Sequence, residues 1–143
     1  VRRYAGMIDN WAESDCFCSC IKVKKSEEDA LRLLSDRLMK RKEEFVSRVG
    51  IVLMFSKFTD EPTVKKALDI YDALPYGAYY RDMAVAWGLS VYCVKYPELI
   101  TGYLEHSPIS IKVKLMAAQK IRDSRRVSDD YKKRITCIVN AQR

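Results

Sequence analysis

The chain has 143 residues, which is enough for one compact domain with a sizeable core and hardly enough for two. Lysine and arginine number 26 against 19 acidic residues, and the resulting net charge of +7 favours a polyanionic partner, although an ordinary basic surface explains the same excess. No apolar run approaches roughly 18 residues and charges interrupt any signal-like stretch near the N-terminus, so we expect no membrane partner.

The segments in the first half of the chain are typical of helices. In residues 26–41, Ser26 is the expected N-cap, and an apolar stripe follows at helical spacing, formed by Leu31, Leu34, Leu38 and Met39. Residues 43–58 are too apolar for a surface helix, which predicts a central one. Pro62 suits the first turn of the helix that follows.

The second half continues this pattern after a break at residues 75–77. An apolar helix is expected at 78–96, a shorter one starts at Pro97, and Ser110 and Ser128 are the expected N-caps of two more. Glycine and proline are scarce and no strand-like alternation is sustained. The prediction is therefore an all-α fold of about eight helices, paired through short connections.

A weak internal repeat indicates how the helices are arranged. Residues 45–53 align with residues 80–88 at an offset of 35, which places Phe45 on Tyr80. A period in the thirties is typical of an α-solenoid of stacked helical hairpins. A closed α-helical bundle is the alternative, and both would make residues 1–143 a single domain.

Three alternating cysteines, Cys16, Cys18 and Cys20, raise the question of a metal site. A structural site needs four ligands, usually in two pairs, and no second cluster exists in the chain. On a helix, Cys16 and Cys20 share a face while Cys18 points nearly opposite. We therefore interpret the three as packing residues and expect no metal. Five cysteines without disulfide spacing also favour a reducing, cytoplasmic setting.

Four other residues attract attention by type and place. Trp11 and Asp15 lie four residues apart and so share a face of a helix. Arg48 falls within an apolar helix, where an arginine needs a carboxylate or phosphate partner. Trp87 lies in an apolar run. Taken one at a time, each residue is better explained by ordinary core or surface packing than by function.

Four segments that contain these residues resemble the AlkD-like family of DNA alkylation repair glycosylases. They are DNWAESDCFCS, FVSRVGIVLMF, YYRDMAVAWGLSVYCVKYPE and AAQKIRDSRRVS, and the similarity runs in order from about residue 5 to residue 135. The resemblance rests on the Trp-x-x-x-Asp pair, the arginine one helix pair later and the Ala-Trp before the Lys-Tyr-Pro-Glu turn. Together these features are fairly specific, whereas each alone is weak.

The resemblance implies a solenoid of HEAT-like repeats whose concave, basic face cradles duplex DNA. It implies excision of cationic purines alkylated at N3 or N7 by a monofunctional glycosylase without a cofactor. By the same resemblance, Asp15 is the catalytic carboxylate, Trp11 and Trp87 contact the deoxyribose of the lesion, and Arg48 meets the DNA backbone. Family members are understood to leave the damaged base stacked and to act from the sugar side.

These residue types suit that chemistry. A purine methylated at N3 or N7 is already cationic, so it leaves without a general acid and the site needs no histidine. Positive charge then develops on the sugar, where a fixed carboxylate stabilises it and can orient the attacking water. Aromatic faces attract such a cation by roughly 0.5–2 kcal/mol each. The carboxylate of Asp15 is therefore expected to dominate, with Trp11 and Trp87 assisting.

Basic clusters provide the expected DNA-binding surface. The densest lie at residues 21–25, 37–42, 112–114 and 122–126, and any one of them is also explained by the preference of cations for helix ends. We predict DNA contacts from Lys22, Lys24 and Lys25. Lys57 is a further candidate, offset by one residue from the basic position of the family. Contacts to phosphates position a protein without reading base sequence.

The resemblance covers only the C-terminal part of a typical family member. Members normally carry further helical repeats upstream of the Trp-x-x-x-Asp helix, and these repeats include an aromatic residue near the lesion. We therefore expect an exposed apolar face at the N-terminal end of this chain, with self-association there as one consequence. Two alternatives to a glycosylase stay open, namely a non-catalytic HEAT-like DNA-binding protein and a protein–protein adaptor.

Overall fold

The computed structural model describes all 143 residues and consists of helices without any strand, which confirms the all-α prediction. A single 3₁₀ turn, Lys25–Glu27, precedes α3. The nine α-helices are α1 Arg2–Ala5, α2 Trp11–Cys20, α3 Glu28–Met39, α4 Glu44–Lys57, α5 Glu61–Asp72, α6 Tyr79–Lys95, α7 Pro97–His106, α8 Ile111–Asp123 and α9 Asp129–Asn140. The expected number was about eight, and the short α1 is the addition. None of the nine has the length and apolar character needed to cross a membrane.

Most of the predicted helix starts are confirmed. Pro62 lies in the first turn of α5, and α7 begins at Pro97. Ser128 caps α9, where its hydroxyl accepts from a backbone N–H at 3.5 Å. Ser110 occupies the N-cap position of α8 without a side-chain bond. The prediction for Ser26 was wrong, because this residue lies within the 3₁₀ turn and α3 starts two residues later.

The helices form two rows. The even-numbered helices α2, α4, α6 and α8 contact one another in series. On one side of this row, α3 packs on α4, α7 packs on α6 and α9 packs on α8. Helix α5 contacts α3 and is joined to α7 by the hydroxyl of Tyr103, which donates to Asp72 at 2.7 Å.

One contiguous core of 36 buried apolar residues runs along the molecule from Ala5 to Val139. Two glycines allow close approach within it. A Cβ at Gly50 of α4 would lie 2.8 Å from the backbone of Leu38, and one at Gly88 of α6 would lie 2.5 Å from the hydroxyl of Tyr71. Gly50 thus lets α4 approach the backbone of α3, whereas Gly88 leaves room on α6 for the side chain of Tyr71.

Two apolar side chains near the start of the chain are exposed to solvent. Met7 is 70% exposed and Tyr4 is 41% exposed, and the Tyr4 ring packs on Phe17 of α2 with 4.6 Å between centroids. Because Tyr4 also donates to Glu13 at 2.7 Å, α1 is attached to α2 by both apolar and polar contacts. Self-association through this end of the chain stays a prediction.

Candidate active site

Helix α2 presents Trp11 and Asp15 from its first two turns. The side chain of Asn10 accepts the backbone N–H of Glu13 at 2.8 Å, and this N-cap fixes the start of the helix at Trp11. Trp11 is 52% exposed, and Asp15 lies one turn later on the same face. Buried Cys18, one turn beyond Asp15 on the same side of α2, packs on α4, where its Sγ lies 3.7 Å from the carbonyl oxygen of Val49.

Asp15 and Arg48 form a two-bond ion pair between α2 and α4. Arg48 Nε donates to Oδ1 at 3.0 Å and Arg48 Nη2 donates to Oδ2 at 2.8 Å. The arginine side chain is 7% exposed, whereas the Asp15 side chain is 21% exposed. Each Asp15 oxygen accepts one hydrogen bond here and can accept another, so the open edge of the carboxylate retains acceptor capacity toward solvent.

Arg48 is in turn held by the first turn of α6. Its Nη1 donates to the carbonyl oxygen of Tyr80 at 2.7 Å, so all three guanidinium nitrogens contact protein. Glu44, one turn before Arg48 on α4, accepts the backbone N–H of Tyr80 at 2.7 Å. The Phe45 ring packs on the Tyr80 ring with 5.4 Å between centroids. Glu44 and Arg48 thus both bind the backbone of Tyr80 at the start of α6. These contacts hold Arg48 in place, and Arg48 in turn holds Asp15.

Trp87 lies two turns further along α6. Its ring is half-buried and meets Phe55 of α4 edge-on, with 4.8 Å between centroids. The hydroxyl of Ser90 donates to the Trp87 carbonyl oxygen at 2.7 Å. Trp87 is therefore supported on one face by the core and open on the other.

Trp11, Asp15, Arg48 and Trp87 converge on one open cavity of about 460 Å³, lined by residues of α2, α4, α6 and α8. The rest of its wall consists of Tyr79, Tyr80, Met83 and Lys120. The sequence analysis had not singled out these residues as functional. Tyr80, Met83 and Trp87 follow helical spacing, which could have indicated one face of α6. No local signal connects Lys120, on α8, to α2.

A second cavity of about 630 Å³ continues from the first, with Trp87 and Lys120 in both walls. It adds two cations, Lys95 and Arg126. Lys95 donates to the carbonyl oxygen of Thr59 at 3.0 Å and is otherwise exposed. The combined surface thus carries the candidate carboxylate at one end, and three cations and one further acid, Asp123, toward the other.

The structure places the predicted DNA-binding residues in different surroundings. Lys22, Lys24 and Lys25 are exposed on the segment after α2, and none of them lines the site cavity. Lys57 is half-buried at the end of α4 and also lies outside the cavity wall. Arg48 lies in the wall, but its three nitrogens are already bonded, so a phosphate contact there would have to share donors with Asp15 and Tyr80.

The cysteines divide by helix face. Cys18 and Cys93 are buried, and burial raises the pKa of the Cys18 thiol to about 12 and that of the Cys93 thiol to about 11. Cys16 and Cys20 share the exposed face of α2, so the packing role predicted for all three alternating cysteines is right for Cys18 alone. No group of three or more His, Cys, Asp or Glu side chains is placed to hold a metal ion.

Comparisons with protein-family models, curated proteins and solved structures gave no match to this chain. Its function has to be inferred from the cavity and from the chemistry of the side chains that line it. Two indoles and one oriented carboxylate around an open, partly cationic cavity can stabilise positive charge on a ligand that approaches from solvent.

Proposed function

We propose that the chain is a monofunctional DNA glycosylase that hydrolyses the N-glycosidic bond of cationic N3- or N7-alkylated purines in duplex DNA. The observation that carries this proposal is the convergence of Trp11, Asp15 and Trp87 on one solvent-open cavity. Had these side chains pointed into separate parts of the core, the combination would have had no chemical meaning. The cationic extension of the cavity suits a phosphate backbone.

An α-solenoid of HEAT-like helical hairpins is the architecture we propose for this function. Support comes from side-chain hydrogen bonds that recur at similar sequence separations. Their spans are 36 residues for Tyr80 to Glu44, 31 for Tyr103 to Asp72, and 33 for Tyr131 to Glu98. Bonds that repeat every thirty-odd residues are expected where each hairpin contacts mainly the next one. The side of the even-numbered row that carries the cavity would then receive the duplex.

In this mechanism the carboxylate of Asp15 faces the deoxyribose from which the cationic purine leaves. As the glycosidic bond stretches, positive charge grows at C1′, and the fixed carboxylate stabilises it without having to reorient. The bonding electrons leave with the purine, which departs as a neutral base. A water molecule hydrogen-bonded to the open edge of Asp15 would then form the new bond to that carbon and pass its proton to the carboxylate or to solvent. The faces of Trp11 and Trp87 add attraction for the same charge and exclude bulk solvent.

Arg48 is a positioning residue in this scheme. Its two hydrogen bonds hold the plane of the Asp15 carboxylate, and its low exposure keeps the pair away from competing solvent ions. Preorganisation of this kind is what makes a charged group effective in a transition state, because no reorganisation is needed during the reaction.

The same ion pair also favours a second candidate function. A carboxylate bonded at both oxygens is a common structural element, and a basic surface can bind DNA without chemistry. The second candidate is therefore a non-catalytic DNA-binding protein that uses the same face. Binding of duplex DNA is common to both functions, so only base release separates them.

The deciding experiment incubates the chain with a duplex that contains one 7-methylguanine and measures free base by chromatography. Release faster than the spontaneous rate, and none from the unmodified duplex, supports the glycosylase. The strand should stay intact until alkali is added, because no lysine is expected to act as a Schiff-base nucleophile. Binding of the duplex with only spontaneous release would favour the non-catalytic protein, and absence of binding would contradict both.

A further inference from the structure

A second groove lies away from the candidate active site and shares no wall residue with it. Its volume is about 720 Å³, and its walls come from the α1 region, α3 and the start of α4. The apolar part of the wall includes Leu34 and Phe45, both half-buried, with buried Leu38 and Val46 beneath them. Of its wall residues only Glu44, which accepts the backbone N–H of Tyr80, has a role in the proposed glycosylase mechanism.

The cationic side chains of the groove are all arginines, although lysines outnumber arginines in the chain as a whole. Arg41 is paired with Glu43, through Nε at 3.1 Å and Nη2 at 2.5 Å. Arg2, Arg3 and Arg37 are exposed, and none of them takes part in any ion pair of the chain. Three guanidinium groups without an ion-pair partner therefore surround an apolar floor, in a wall where four arginines outnumber two glutamates.

Guanidinium groups are suited to carboxylates because their planar N–H donors match both oxygens at once. An apolar floor between them suits a partner that offers a large apolar side chain next to its acids. Arginine around an apolar centre is also typical of the energetically important part of protein–protein interfaces. A phosphodiester backbone carries no apolar side chain to place on that floor, whereas a peptide does.

We propose that this groove binds an acidic peptide segment of a partner protein, with glutamates or aspartates on Arg2, Arg3 and Arg37 and an apolar side chain between Leu34 and Phe45. The inference does not depend on the glycosylase proposal. The chain would hold DNA on its even-numbered row and a protein partner at its N-terminal end.

The test is fluorescence anisotropy with a fluorescein-labelled peptide in which leucines alternate with glutamates. We expect saturable binding that weakens as salt is added, and loss of binding when the glutamates are replaced by glutamines. Arg37→Glu should weaken affinity by about tenfold or more, because an exposed donor becomes a repelling carboxylate. Arg3→Glu tests the opposite side of the groove with the same expectation.

Arg125→Glu is the matched control, since Arg125 is exposed, forms no ion pair and lies outside the groove. It changes net charge equally and should leave peptide affinity unchanged. Equal weakening by Arg37→Glu and Arg125→Glu would overturn the proposal by reducing it to general charge attraction. The proposal would also be overturned if Arg37→Glu weakened the binding of a duplex DNA probe as much as it weakened peptide binding. The groove would then belong to the DNA-binding surface.

Discussion

Asp15 and Arg48 meet between α2 and α4 through two parallel hydrogen bonds of 3.0 and 2.8 Å, although 33 residues separate them in the sequence. Breaking a pair of this kind leaves an uncompensated, nearly buried guanidinium group, so the pair contributes to stability as well as to the site. Variants of either residue need a melting curve beside every activity measurement.

Asp15→Asn should abolish most base release while leaving duplex binding in place. The substitution keeps the shape of the side chain but removes the charge that stabilises the sugar cation, and losing one such preorganised group costs on the order of 10²–10³ in rate. Single-turnover release of 7-methylguanine, measured well below the melting temperature, reports this step. We also expect a lower melting temperature, because Arg48 loses its charged partner.

Asp69→Asn is the control for that experiment. Asp69 is an exposed acid of α5 without an ion pair, and its substitution changes net charge in the same way. Parental release by Asp69→Asn and strongly reduced release by Asp15→Asn are the expected results. If the folded Asp15→Asn chain released base at the parental rate, the catalytic role given to this carboxylate would be wrong.

Glu44→Ala should slow base release about tenfold, although the residue touches no substrate. Its carboxylate fixes the backbone N–H of Tyr80, whose carbonyl oxygen fixes Arg48, which fixes Asp15. Glu44→Gln keeps the acceptor oxygen and should restore most of the rate. Glu43→Ala is the neighbouring control, because Glu43 is exposed and pairs only with Arg41. Equal rates for Glu44→Ala and Glu43→Ala would show that Glu44 does not position Asp15.

Trp87→Ala should reduce base release more than it reduces the folded fraction. The indole packs on Phe55 and also lines the cavity, so the substitution costs both stability and attraction for the sugar cation. Trp87→Phe retains much of the packing and separates the two effects, and we expect a rate reduced roughly tenfold by weaker attraction for the cation. A rate that follows only the thermal unfolding of each variant would identify Trp87 as a core residue.

The helices and their order could be predicted because helical spacing, prolines and N-caps are local features. Ser26 shows where local features mislead, since a serine followed by an acid three residues later resembles a capping box while the chain there forms a 3₁₀ turn. The shared helix face of Trp11 and Asp15 could likewise be predicted from their spacing. Each of these inferences depends on residues less than two turns apart.

The contacts that complete the site could not be predicted in the same way. Arg48 was expected to need an anionic partner, but whether Asp15 or a phosphate would provide it depends on how α2 packs on α4. Lys120 enters the wall only because α8 packs beside α6. The exposure of Cys16 and Cys20 follows from which face of α2 is buried, and the spacing alone gives the two faces without saying which one.

The thiols should fall into two classes, and stability should decline in alkali. Cys16, Cys20 and Cys137 are exposed and should react with a thiol reagent in the native chain, whereas Cys18 and Cys93 should react only on unfolding.

Because burial raises the pKa of Cys18 to about 12 and that of Cys93 to about 11, the folded chain keeps protons that the unfolded chain loses near pH 8.5. Unfolding then releases protons, so the free energy of unfolding falls as pH rises above that value.

Urea unfolding at pH 7.5 and pH 10 measures this decline. Cys93→Ala removes one of the raised thiols and should reduce the difference between the two pH values, while Cys137→Ala, an exposed position, should leave it unchanged. Rapid reaction of all five cysteines under native conditions would contradict the placement of Cys18 and Cys93 in the core.

Affinity for duplex DNA should fall steeply with salt, and Lys120 should account for part of the slope. Lys120 joins the two cavities of the proposed DNA face, where a phosphate contact would release condensed counterions. Lys120→Met should weaken binding to all sequences alike and lower the slope of log affinity against log salt by about one. Lys65→Met, on α5 and paired with Glu61, is the control and should keep the parental slope. A slope near zero between low and physiological salt, or an equal change in both variants, would mean that the even-numbered row is not the DNA-binding face.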